Sequence, residues 1–334
     1  MNRLVIVSIT LGLAFAGVFL YLFGGRGGQL VAVHLAPGPP QPRVSPGEAG
    51  IDPAVLEAAA DYAGKRNTRA LIVTRGGHVV FERYWDGTTI DTVVEPGFAP
   101  VLVALGVGSA MNERLLGNLD APLSNYLPDA EGEKTGLSVR QLLGGDAPGM
   151  SLVESADLLG VMLERLSSQP YQTFVAERFW KPIEAGTLEF RQAGGRNGSG
   201  RVSAGCCVSA RVGDWMRIGV MLAHDGVFEG NQFTPPRYVT LMMKPAHKGS
   251  PRGFFTRVDG DFAAQDVAWL EGSHQQRMWI VPSLRLAILR IGDEPPTSEG
   301  WDEAMIPDSV IRGTSGWQPR SAGEGVDPKK YAPH

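Results

Sequence analysis

Short apolar runs with the alternation of β-strands occur at both ends of the chain, separated by a long stretch with helical periodicity. Near the start, Ala70–Thr74 and Val79–Phe81 are joined by a Gly-Gly turn, a pattern typical of a β-hairpin. Near the end, the segments QQRMWIVPS and LRLAILRIG read as two further strands. We therefore predict an α+β fold in which one antiparallel sheet is built from both chain ends, flanked by helices, with an inserted helical region.

The inserted region repeats apolar residues with the period of an α-helix in several segments. Val101–Met111 is apolar and rich in Ala and Gly, which predicts a buried helix. An earlier helix is predicted to begin after the capping residue Asp52, with Pro53 at its first position, and to end near Gly64. These elements predict a domain over residues 51–312 and a polar C-terminal tail over residues 313–334.

Composition and charge exclude several classes of function. The 334 residues carry a net charge of -4 and no long basic run, so we expect no nucleic-acid partner. Cys206 and Cys207 are adjacent, cannot form a disulfide framework, and have no neighbours that complete a metal site. We predict neither a metal nor another cofactor. We expect two small buried cysteines, with a vicinal disulfide as the alternative.

The N-terminal segment Leu4–Phe23 is a run of twenty residues without a charge. As a helix it would be about 30 Å long, enough to cross the hydrocarbon core of a membrane. The run exceeds the apolar core of a usual signal peptide, and no small-x-small cleavage site follows closely. We therefore predict a transmembrane anchor over residues 1–24, with the lipid bilayer as a partner. Arg3 and Arg26 flank the run on opposite sides, so these charges do not fix its orientation.

Two further features concern this anchor. Ser8, Gly12 and Ala16 recur at a spacing of four residues, which places them on one helix face where a second membrane helix could approach closely. Small residues are also common in membrane helices without such a role. Residues 25–50 are rich in Gly and Pro, which predicts a semi-rigid tether that contributes no core.

Four segments resemble the serine β-lactamase/penicillin-binding-protein-like superfamily, on its class C and esterase side. They read RALIVTRGGHVVFERYW, LGNLDAPLSNYLPDAEG with LSVRQLLGG, LLGVMLERLSSQPYQTFVAERFWKPIEA, and SAGCCVSARVGDWMRIGVMLAHDGVFEGNQFTPPRYVTLMM. A fifth, QQRMWIVPSLRLAILRIG, is similar to the closing hairpin of the family. The resemblance implies a β-lactamase/transpeptidase-like fold. It also implies a folded domain in the periplasm, attached by a single span to a bacterial inner membrane.

The resemblance further implies three catalytic motifs, and this sequence departs from all of them. The family opens its buried helix with Ser-x-x-Lys, in which the serine attacks a carbonyl and the lysine helps to take the proton. It has a Tyr-x-Asn or Tyr-x-Ser loop and a Lys-Thr-Gly or His-x-Gly strand. The corresponding residues here are Gly97 and Pro100 for the first motif, Ser151 and Val153 for the second, and Ser273 and His274 for the third.

A displaced nucleophile is not evident elsewhere in the sequence. No lysine has a serine three residues before it, and there is no Gly-x-Ser-x-Gly elbow. Phe98 and Pro100 add bulk at the old catalytic position, which favours a filled pocket. Our first hypothesis is a pseudoenzyme that binds or scaffolds a membrane protein partner or complex. The alternatives are an active esterase or amidase with rearranged catalytic groups, and a non-catalytic binder of a small ligand or peptidoglycan fragment.

Overall fold

Strands and helices follow one another from a short strand at Leu30–Val33 to a helix at Met305–Arg312. The computed structural model describes residues 29–128, 136–192 and 201–317. The strands are β1 Leu30–Val33, β2 Thr68–Arg75, β3 His78–Tyr84, β4 Val93–Val94, β5 Leu188–Arg191, β6 Val208–Arg211, β7 Val227–Phe228, β8 Asn231–Gln232, β9 Ala268–Glu271, β10 Arg277–Val281 and β11 Leu286–Gly292. The α-helices are α1 Pro53–Gly64, α2 Ala99–Asn112, α3 Val139–Gly144, α4 Leu152–Ser167, α5 Tyr171–Val175, α6 Val212–Ala223, α7 Pro236–Met242 and α8 Met305–Arg312.

The larger sheet takes strands from both ends of the domain, which confirms the prediction. Its order is β3-β2-β11-β10-β9, and all neighbouring strands are antiparallel. Every residue of β10 and β11 is buried. Because these strands are covered on both faces, their sequences are nearly continuous apolar runs.

Two hydrophobic cores lie on opposite faces of this sheet. Leu71 and Val73 of β2 pack with α1 and α8, whereas Ile72 of the same strand packs with the helical region that includes α2, α4 and α6. Alternation along a strand sends successive side chains to opposite faces, which explains the division. The sheet is therefore the layer shared by both cores.

The two helices whose limits were predicted form as expected. The Asp52 side chain accepts a hydrogen bond of 2.9 Å from the N–H of Ala54, and α1 begins at Pro53 and ends at Gly64. Helix α2 includes the predicted buried segment, and residues 101–110 are all buried. Since α2 runs through the helical core, its N-terminus brings the turn at Gly97 to the turn between β9 and β10.

The segment predicted as a tether differs from that expectation over part of its length. Residues 30–33 form β1, the first strand of a smaller sheet with the order β1-β5-β6-β4. Val31 and Val33 pack against the core of the helical region. The N–H of Val44 donates to the carbonyl of Val79 on β3 at 3.1 Å. The apolar sequence Leu-Val-Ala-Val is the cause, because it can bury side chains that the surrounding Gly and Pro cannot.

The predicted C-terminal tail also begins on the domain. Thr314 forms a β-bridge with Ile51, and the N–H of Ser315 donates to the carbonyl of Gly50 at 2.7 Å. Trp317 packs against the core formed with α1 and α8. Residues 318–334 lie outside the described residues, as do the predicted anchor Leu4–Phe23 and its small residues Ser8, Gly12 and Ala16. In the ranges that are described, no helix is long and apolar enough to cross a membrane.

Candidate functional site

The turn before α2 holds the position where the resemblance places a serine nucleophile. Gly97 has a φ of +84°, in the left-handed region that side chains disfavour. A Cβ atom at this position would lie 3.2 Å from Cα of Gly272 and 3.5 Å from the backbone nitrogen of Ser273. The backbone of the β9–β10 turn therefore lies against the point from which a serine side chain would project.

The opposing turn depends on the absence of a side chain in the same way. Gly272 has φ -113° and ψ 175°, an extended conformation that any residue adopts. A Cβ atom there would overlap the carbonyl oxygen of Pro96. Gly272 is therefore required by the close approach of the two backbones and not by its own dihedral angles.

Phe98 and Pro100 are accommodated without strain around this closed turn. The Phe98 ring is turned into the core, where it packs edge-on against Trp215 with ring centroids 5.8 Å apart. Trp215 packs in turn against Trp180 at 5.5 Å. Pro100 is the second residue of α2, where a backbone N–H has no intrahelical acceptor, so its missing donor costs nothing. Aromatic packing thus fixes the turn in place.

A small cavity remains beside the turn. Its volume is about 50 Å³, room for a few water molecules. Arg252 and Arg257 reach it, and each guanidinium lies 3.2 Å from Oε2 of Glu271. Arg257 also forms a two-pronged pair with Asp259. Because these cations are already paired with carboxylates, they present little net charge to an anionic substrate. The remaining lining is largely apolar and includes Phe98, Pro100, Leu152, Phe255 and Leu270.

Ser151 and Val153 lie at the start of α4 and have no catalytic partner that the structure describes. Ser151 is the N-cap: its Oγ accepts from the N–H of Glu154 at 3.2 Å and donates to the carboxylate of the same residue at 2.9 Å. The backbone N–H of Ser151 also donates to this carboxylate, at 2.8 Å, which completes a capping box. Val153 is exposed. The hydroxyl of Ser151 is therefore committed to helix capping.

Ser273 and His274 form a short helical turn between β9 and β10. Ser273 borders Gly97 through its backbone, whereas His274 is 58% exposed and its Nδ1 lies 3.5 Å from Oε2 of Glu294. His274 has a φ of +55°. The backbone carbonyl of His274 accepts a hydrogen bond of 2.9 Å from Arg290. Where the resemblance places the strand motif of the family, this chain has a turn that is held through its backbone.

Arg290 is a buried cation that sequence reasoning missed. Its guanidinium is fully buried, and burial is the main cause that lowers its pKa to about 10, with the nearby Arg277 acting in the same direction. It donates five hydrogen bonds, to the Thr68 hydroxyl and to the carbonyls of Arg66, His274, Gln275 and Asp293. Arg290 thereby fixes the turn that closes over Gly97. The only signal in the sequence was an arginine in an otherwise apolar strand.

A histidine–aspartate pair, His247 with Asp146, was also not singled out from the sequence. Nε2 of His247 lies 3.1 Å from Oδ2 of Asp146, and Nδ1 lies 3.2 Å from the carbonyl of Lys248. These contacts raise the pKa of His247, the Lys248 carbonyl first and Asp146 second. Both ring nitrogens lie against acceptors, so neither faces a group from which it could take a proton. The pair resembles a catalytic dyad only in composition.

The two cysteines differ from the expected free pair, because Cys206 and Cys207 are joined by a disulfide. The preceding loop is held by Oδ1 of Asp157, which accepts from the hydroxyl of Ser203 at 2.8 Å and from the backbone N–H groups of the next two residues. Across the described part of the chain, no group of three or more His, Cys, Asp or Glu side chains could hold a metal ion.

Solved structures with a similar backbone define the class of fold. A penicillin-binding protein homologue from Caulobacter crescentus superimposes with a TM-score of 0.61 at 13% identity, over 78% of this chain and 96% of that one. A family VIII carboxylesterase matches at 0.59 and 14%, over 79% and 99%. A class C β-lactamase from Rhodobacter sphaeroides matches at 0.56 and 13%, over 78% and 97%.

The chain therefore has the fold of the β-lactamase/penicillin-binding-protein-like serine hydrolases, as the sequence resemblance implies. No family model and no curated protein sequence matches it. At identities of 13–14%, these similarities concern the fold alone.

Proposed function

We propose that this protein is a non-catalytic form of the β-lactamase-like fold. It is held at a bacterial inner membrane with its domain in the periplasm, and it acts as a binding or scaffolding subunit for a membrane protein partner. The observation that carries the first part is the close approach of Gly97 and Gly272. Two glycine backbones meet where a serine hydrolase needs a nucleophile and room for an acyl group.

The chemical argument concerns the nucleophile and its base together. Covalent acyl transfer needs a nucleophile, a group that takes its proton, and space for the tetrahedral intermediate beside oxyanion donors. Gly97 supplies no nucleophile, Pro100 supplies no base, and the cavity of about 50 Å³ has no room for a bound acyl substrate. Both ring nitrogens of His247 lie against acceptors, so His247 does not replace the missing lysine.

Catalytic inactivity is tested on the purified full chain in mild detergent. We expect no hydrolysis of nitrocefin or p-nitrophenyl acetate above a heat-denatured sample, and no labelling by a fluorophosphonate or a fluorescent penicillin. An active class C β-lactamase in the same detergent is the positive control. Stoichiometric labelling of any serine, located by mass spectrometry, would replace this proposal with the esterase or amidase alternative.

The membrane part of the proposal rests on the sequence of Leu4–Phe23, whose length matches the hydrocarbon core. We expect this segment to remain in the mature protein and to pack through Ser8, Gly12 and Ala16 against another membrane helix. Gly12→Ile should then weaken association by about 1–2 kcal/mol, whereas Leu13→Ile, on a different face, should not. N-terminal sequencing that begins after residue 24 would contradict the anchor.

A further inference from the structure

The two main sheets have four outer edges, and three of them are partly covered or very short. On β3, Val79 exchanges backbone hydrogen bonds with residues 42 and 44, at 2.8 and 3.1 Å. On β9, Trp269 exchanges them with Arg257, at 3.0 and 2.8 Å. Strand β4 is only two residues long. Covering or shortening edges is how natural sheets avoid unwanted pairing.

The edge at β1 lacks such protection. The N–H of Gln192 donates to the carbonyl of Gln29, so in this antiparallel register Gln29, Val31 and Val33 bond inward to β5. The N–H and C=O groups of Leu30 and Ala32 then point to the open edge. Among the residues that the structure describes, none donates to or accepts from them.

The side chains at this edge also favour pairing. The strand reads Leu-Val-Ala-Val, with no charge and no proline to deter another strand. Leu30 is 56% exposed, so a strand added here would remove apolar surface from water. An edge with free backbone groups and apolar side chains is a template for strand addition.

We propose that β1 pairs with β1 of a second copy of this chain, antiparallel about a two-fold axis. With Val31 on the axis, Leu30 of each copy lies opposite Ala32 of the other, and the pairs exchange N–H···O bonds in both directions. The pairing satisfies every outward backbone group of Leu30 and Ala32 and covers Leu30. It joins the two smaller sheets into one continuous sheet.

A second copy is the occupant because the arrangement is self-complementary and because the chain holds two copies close. An isologous interface needs only one surface patch. The predicted anchor ends at Phe23, and the six residues that follow before Leu30 span at most about 20 Å. Anchors packed side by side would therefore keep two β1 strands within reach, which raises their effective concentration. This distance argument rests on the proposed membrane attachment, whereas the edge geometry does not.

The test compares two substitutions at one residue. Ala32→Pro removes an N–H that faces the open edge and is not used by β5, whereas Ala32→Ser keeps it. The mass of the full chain in mild detergent is measured by light scattering over a range of protein concentrations. We expect wild type and Ala32→Ser to be dimers, and Ala32→Pro to dissociate at a concentration higher by about tenfold or more.

A second variant tests whether the loss of the dimer is caused by misfolding of the chain. Leu30→Lys changes a side chain that is already more than half exposed and places two like charges at the interface, so it should dissociate the dimer with an unchanged circular dichroism spectrum. A wild-type chain that is monomeric throughout would overturn the inference. So would a dimer that survives both β1 variants and dissociates only with Gly12→Ile. The serine-labelling experiment tests catalysis and does not depend on the oligomeric state. A failure of the proposed function is therefore distinguishable from a failure of the proposed dimer.

Discussion

Three glycine-to-alanine substitutions separate the two physical reasons why the turn at Gly97 lacks a side chain. Gly77 has a φ of +85°, and no described atom lies within 4 Å of the point that a Cβ would occupy, so alanine there meets only backbone strain. Gly272 has an unstrained extended backbone, so alanine there meets only steric contacts, chiefly the one with Pro96. Gly97 combines a positive φ with a close contact.

The expected costs follow from these geometries. Gly77→Ala should lower the free energy of unfolding by about 1–2 kcal/mol, the penalty for an L-residue in the left-handed region. Gly97→Ala adds a 3.2 Å contact with the backbone of Gly272, which must shift, and the total should be about 2–4 kcal/mol. Gly272→Ala should cost about 3 kcal/mol or more, because its Cβ overlaps a carbonyl oxygen that cannot rotate away.

Thermal unfolding followed by tryptophan fluorescence measures these differences. For a domain of this size, each kcal/mol should lower the midpoint by about 2–4 °C. The predicted order of destabilisation is Gly77→Ala, then Gly97→Ala, then Gly272→Ala. If Gly97→Ala costs no more than Gly77→Ala, the two turns do not press on each other and the closed pocket is refuted.

The double variant Gly97→Ser with Pro100→Lys should also remain unlabelled by a fluorophosphonate.

Three further predictions concern groups outside the turn. Arg290→Met should lower the free energy of unfolding by about 3 kcal/mol or more, because five acceptors lose their donor; a midpoint within 2 °C of wild type, about the shift of 1 kcal/mol, would contradict this. The His247 ring should titrate at a higher pH in wild type than in Asp146→Asn, as followed by NMR. Folding raises the pKa of His247. The contribution of its contacts to the stability of the fold is therefore complete below the pKa of the unfolded state, and it is lost as the pH rises through the pKa of the folded state. Iodoacetamide should modify neither Cys206 nor Cys207 in the denatured chain before reduction and both after it, as read by mass; modification without reductant would contradict the disulfide.

The larger sheet could be predicted from the sequence because its strands are local patterns. The runs that became β2, β3, β10 and β11 are apolar, short and separated by turn residues, and these are properties of neighbouring positions. Order along the chain then implied one sheet from both ends. The smaller sheet was missed because β1, β5 and β6 have only four residues each and lie between stronger signals. Flanking Gly and Pro concealed β1 within a predicted tether.

For the candidate site, the sequence predicted only which catalytic residues of the family are missing. The resemblance places Gly97 and Pro100 where the family has a nucleophile and a base, but it does not show what fills the space. Closure depends on contacts between distant residues: Gly97 with Gly272, and Arg290 with the turn at His274. His247 and Asp146 were overlooked for the same reason, since a pair about a hundred residues apart has no local pattern.

Loss of the catalytic side chains and closure of the pocket have different consequences for activity. When a nucleophile alone is removed from an open site, bound substrate can still react with water, because the oxyanion donors and binding contacts remain. In this chain the backbone at Gly272 lies against the position where the resemblance places the serine, and under our proposal this contact leaves no place for a substrate carbonyl beside α2. A serine at position 97 would require a change of backbone conformation at Gly97. It would also require movement of the β9–β10 turn, whose carbonyls at His274 and Gln275 accept hydrogen bonds from Arg290. These contacts support the proposed non-catalytic role, in which a partner binds the surface of the fold and not an interior pocket.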